Sequence, residues 1–141
     1  MFIRLSLLIT YGGFLIALSA FKTSELFLPQ IYQFEAFLGG DKWMHFKLSS
    51  LLAFMALMTF SNKSQEVLKI VIRTTLICLA LTLGLLVDEF HQSIASTRRF
   101  EWLDFLYGFS GIGFGTVCFL FIFAISQQYQ LRTIKKTEKN R

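Results

Sequence analysis

The chain alternates between long apolar runs and short polar clusters. Four runs stand out, at residues 5–21, 43–60, 70–87 and 103–126. Each is near the roughly 20 mostly apolar residues that a helix needs to cross about 30 Å of hydrocarbon. None shows the strict alternation of a half-buried strand, and all are long for one. The second run is the most polar, with His45, Lys47, Ser49 and Ser50 in its first half. Lys47 lies close enough to the end for its ammonium group to reach the interface. Between the first two runs, residues 25–37 combine Leu, Phe, Ile and Tyr with Glu, and this reads as a short amphipathic segment lying along the membrane surface. The pattern predicts an all-α integral membrane protein: a four-helix bundle forming a single domain over 1–128, followed by a basic, solvated and mostly disordered tail at 129–141.

Composition agrees with the pattern. Hydrophobic residues make up 54% and charged residues only 16%, against about 25% charged in an average soluble domain. Cys78 and Cys118 both fall inside apolar runs, so they read as small buried hydrophobes rather than a disulfide framework. Residues 1–20 resemble a secretory signal in outline. The flank carries one basic residue, however, and Leu18 at the −3 position is large for a cleavage site, so the first run reads as a retained helix.

Charge sets the expected orientation. With four spans, the N-terminus, the loop near 61–69 and the tail share one side, and that side holds nine Lys and Arg against five on the other. The positive-inside rule makes the nine cytoplasmic. Of the acids, only Glu66 and Glu138 fall on that side; the other seven lie opposite. The net charge of +5 is then a topology signal, and nucleic acid is not an expected partner.

Two polar clusters lie at the expected outer ends of the helices. In GGDKWMHFK, Asp41 follows two glycines and suits an N-cap. His45 lies four residues on, so the two share a face, and a carboxylate there would orient the imidazole. In the second cluster, Asp88 and Glu89 close the third run, where the helix dipole disfavours carboxylates. Arg98 and Arg99 are the expected cationic partners, with Arg98 reaching Glu89 and Asp104. Glu89 and Gln92 share a helical face, and Asp104 suits the first turn of the fourth helix. Gly111 and Gly115 form GxxxG, with Gly108 extending the stripe, which allows another backbone to approach closely.

Three chemistries fit these groups. A staple of Arg–carboxylate pairs would only pin the loop. Asp41, His45, Glu89 and Asp104 offer the imidazole and carboxylate donors that suit a divalent metal, though without a known metal spacing, so no resident cofactor is expected. A carboxylate–His–Arg group could instead bind or act on an anionic lipid-linked substrate. Catalysis there would use His45 as acid/base with Glu89 or Asp104 as its partner. There is no nucleophile elbow, P-loop or internal repeat.

DKWMHF at 41–46, then E-x-x-Q-x(5)-R-x(5)-D from Glu89 to Asp104 and the glycines at 111 and 115, resemble the VanZ-like family of small bacterial membrane proteins. The family's motif residues fall on Asp41, Lys42, His45, Glu89, Gln92, Arg98 and Asp104. One departure is Gly108, where the family commonly has Asn. The resemblance implies a multi-helix protein of the bacterial inner membrane; its namesake is associated with resistance to the glycopeptide teicoplanin. It implies architecture more than activity. The combined expectation is one extracytoplasmic cluster of Asp41, His45, Glu89, Gln92, Arg98 and Asp104, with His45 as its floor and Arg98 as its lid. Its expected partners are membrane lipids and a lipid-linked or peptidoglycan-related envelope precursor.

Overall fold

A computed structural model describes residues 2–61, 66–94 and 100–139 of the chain, with side chains as far as Tyr129. The described residues form five helices: α1 (Phe2–Thr23), α2 (Leu28–Phe37), α3 (Asp41–Phe60), α4 (Val67–Ile94) and α5 (Trp102–Lys139). Four of them, α1, α3, α4 and α5, are long and apolar enough to cross a membrane. The surface supports that reading. Phe2, Ile9, Leu83 and Phe121 are among many large apolar side chains left exposed, whereas the largest fully buried side chains are Glu89 and Asp104. Apolar outside and polar inside is the arrangement that suits a lipid solvent.

The core is the α3–α5 pair. Along α5, the buried positions Asp104, Gly108, Gly111, Ile112, Gly115 and Phe119 recur every three or four residues, so they form one stripe. A Cβ at Gly111 would collide with the carbonyl of Phe46, and one at Gly115 with the carbonyl of Ser50. The glycines are thus the condition for the two backbones to touch. Opposite them α3 buries Met44, Ala53, Ala56 and Leu57.

Polar tethers hold the other helices to this pair. Tyr11 donates from α1 to the Leu48 carbonyl at 3.1 Å, and Cys78 of α4 lies 3.2 Å from the Thr116 hydroxyl of α5. At the end of the bundle that holds the start of α1, Arg4 donates to the Met58 carbonyl and Arg73 to the Phe60 carbonyl. Both guanidinium groups reach orphan carbonyls in the last turn of α3, where positive charge is favoured.

At the opposite end the chain turns twice. Glu25 and Phe27 both have φ 58, a left-handed conformation unusual for such side chains. Pro29, the only proline, then sits in the first turn of α2, where it costs no hydrogen bond. The far end of α2 closes as a Schellman motif. Gly40 N donates to Glu35 O, Gly39 N donates to Ala36 O, and Gly39 has φ 95. This turn delivers the chain straight into α3.

Three expectations need correction. The segment at 25–37 is a true fifth helix over its last ten residues. The third span runs on to Ile94, seven residues past its expected end. The tail, expected to be mostly disordered, continues the α5 helix as far as Lys139. The last two have one cause: a helix already formed continues past the apolar boundary through residues of adequate propensity, adding one hydrogen bond per residue.

Candidate functional site

The polar clusters do meet, at the α2 end of the bundle, where Lys42 ties one to the other and Lys22 ties the first to α2. Lys42, in the first turn of α3, donates to Asp104 Oδ1 at 2.6 Å and to Glu101 Oε2 at 2.8 Å. Lys22, in the last turn of α1, donates to Asp41 Oδ1 at 2.7 Å and also pairs with Glu35 of α2. Each ammonium group therefore bridges two acids from other parts of the chain. Asp104 is 2% exposed, and a carboxylate so deeply buried requires such a partner. Its place in the first turn of α5 adds the favourable helix dipole.

His45 lies between these two networks. Its Nε2 is 3.8 Å from Asp41 Oδ1 and 3.9 Å from Asp104 Oδ2, both beyond hydrogen-bond distance. The expected shared face of Asp41 and His45 is present, but no imidazole–carboxylate hydrogen bond joins them. Asp41 is also not a cap. It is the first helical residue, Gly40 takes the N-cap position, and no side-chain cap bond forms. The Asp41 carboxylate turns to Lys22 instead, where a charged hydrogen bond is stronger than a neutral one.

A third group lies on α1 and α4. Asp88 accepts from Ser19 Oγ at 2.5 Å and from Gln92 Nε2 at 2.7 Å. Among the described residues, no Lys, Arg or His lies within ion-pair distance of Asp88. Glu89 and Gln92 are buried, at 1% and 3% exposure. Glu89 is not in the last turn of α4, because five residues follow it. The dipole, which acts within the last turn, is therefore not its main burden; burial is. Arg98 and Arg99 lie outside the described residues, and so do the expected Arg98–Glu89 contact and the Arg98 lid.

A cavity of about 620 Å³ opens beside these groups. Its walls are α1 and α4, and its back is formed by α3 with Ile112 of α5. Most of the lining is apolar, but Ser19, Lys22, His45, Asp88, His91 and Gln92 all face it at the polar end of the bundle. Glu89 and Asp104 do not line it.

Of the expected cluster, the structure thus brings Asp41, His45 and Asp104 together, with Lys42 beside them. Gln92 joins through the cavity wall that it shares with His45. Sequence reasoning missed Ser19, Lys22, Glu35 and His91 as members of the site. The one available signal was the three-residue spacing of Ser19 and Lys22, which puts a hydroxyl and an ammonium on one face of an otherwise apolar helix.

Asp41, His45 and Asp104 each present one ligand atom within 4.8 Å of the others, a spacing that a divalent cation can bridge. The set differs from the expected one by the loss of Glu89. Lys22 and Lys42 already supply positive charge to both carboxylates, so a metal would have to compete with two ammonium groups.

Comparison of the chain with protein-family models, curated proteins and solved structures found no match.

Proposed function

We propose that the protein is a VanZ-like integral membrane protein of the bacterial cell envelope, which binds an amphipathic lipid-linked molecule with a phosphate-bearing head. The observation that carries this reading is the continuity of an apolar cavity between α1 and α4 with a polar end that holds Lys22, His45, Asp88, His91 and Gln92. Ligand pockets commonly combine an apolar lining with a few convergent polar groups, at about 300–1,000 Å³. In a bundle surrounded by lipid, such a pocket suits a molecule that arrives from the bilayer. The excess of Lys and Arg on the side of the termini supports a cytoplasmic location for both, with the site facing outward. The family resemblance supports the envelope setting, since Asp41, Lys42, His45 and Asp104 of its motif fall in one network.

Binding is favoured over catalysis on two grounds. His45 is hydrogen-bonded to neither neighbouring carboxylate, and neither Glu89 nor Asp104, its two expected partners, lines the cavity. Binding is favoured over a purely structural role because Asp88, facing the cavity, is held only by a hydroxyl and an amide among the described residues. A staple would instead leave every acid on a lysine or arginine.

The test is lipid and envelope-precursor analysis in cells lacking the protein, complemented with wild type or His45→Ala. The expected result is an altered precursor or lipid profile that wild type restores and His45→Ala does not, at equal membrane levels of protein. A profile unchanged by deletion would overturn the reading.

A further inference from the structure

Resting on that reading, we propose that the α1–α4 cleft seats one acyl chain of a zwitterionic aminophospholipid, whose primary ammonium is received by Asp88. The cleft extends along α1 from Gly12 to Lys22, about 15 Å at 1.5 Å per residue. That is half of the roughly 30 Å hydrocarbon core, or one leaflet. Its walls open to the lipid side, because Ile16 of α1 and Val87 of α4 line it and both are largely exposed. The polar residues gather at one end, as they would for a tail that enters sideways and a head that stays at the interface.

Charge selects the head group. Asp88 has two acceptor sites taken by Ser19 and Gln92, and an ionised carboxylate offers about four. Among the described residues no cation pairs with Asp88; a carboxylate at the hydrocarbon boundary is costly without one, and a ligand ammonium completes it. A purely anionic head would place uncompensated charge against Asp88. A quaternary ammonium fits poorly, because it has no N–H to donate.

Native mass spectrometry of the full-length protein, with equimolar phosphatidylethanolamine, phosphatidylcholine and phosphatidylglycerol of matched chains, tests the assignment. One phosphatidylethanolamine should be retained with a preference of roughly tenfold, the order expected of a charge-assisted hydrogen bond. Asp88→Asn should reduce that preference to near parity. Gly84→Phe should expel the lipid, because a side chain at Gly84 meets nothing within 4 Å and Gly84 lines the cleft. Retention of lipid without head-group preference, or with phosphatidylglycerol favoured, would overturn this inference and leave the binding reading intact. Retention that Gly84→Phe does not change would place the lipid elsewhere, and no retained lipid at all would likewise overturn this inference.

Discussion

Lys42 and Asp104, 62 residues apart in the chain, meet at 2.6 Å across the junction of α3 and α5. The carboxylate is almost wholly buried, whereas the lysine side chain keeps about a third of its exposure. That asymmetry makes the two partners unequal. Lys42→Met strands a buried charge and should lower stability by about 3 kcal/mol, the lower end of the range for breaking a buried pair. Asp104→Asn leaves an ammonium that water can reach and should cost less. Thermal unfolding in detergent measures both, and the reverse order of the two variants would refute the argument.

Glycine substitutions on α5 separate close packing from lipid exposure. Gly111→Leu and Gly115→Leu drive side chains into the carbonyls of Phe46 and Ser50, so each should destabilise by at least the ~1–3 kcal/mol typical of overpacking. Gly113 has open space beside it, and Gly113→Leu should change stability by under about 0.5 kcal/mol. Equal stability of all three variants would place the α5 stripe against lipid.

Lys22 and His45 should also part company. Lys22→Met removes the cation shared by Glu35 and Asp41 and should loosen α1 and α2, visible as faster proteolysis of the connecting turn. His45→Ala removes no hydrogen bond to either neighbouring carboxylate and should leave folding unchanged while abolishing complementation. A His45→Ala protein that fails to accumulate in the membrane would show that the ring is a structural tether.

Orientation has a direct readout. Reporters fused after Asn62 and after Arg141 should be active in the cytoplasm, and one fused after Ser96 should be active outside. A cytoplasmic signal at Ser96 would reverse the siting of the whole polar end.

Much of the architecture is local information. The four spans follow from unbroken apolar runs, because a backbone in hydrocarbon must satisfy its own hydrogen bonds, and a helix does so within one segment. The α5 stripe was legible for the same reason: Gly111 and Gly115 recur at a spacing that only one helical face provides. Helix ends were less legible. Asp88 and Glu89 look like a boundary by hydropathy, yet α4 carries them as interior residues on the way to Ile94.

The residues in order thus determined the four long apolar helices, the glycine contact face and the two polar clusters near Asp41 and Asp104. Only the tertiary structure decided which charge answers which. Lys42 with Asp104, Lys22 with Glu35 and Asp41, and Ser19 with Asp88 are pairings over 13 to 69 residues of separation. They depend on the rotation and tilt of each helix about its neighbours, which packing contacts set and no local pattern records. In one dimension the acids of this chain are interchangeable. Burial distinguishes them, since each one taken out of water needs a partner within reach.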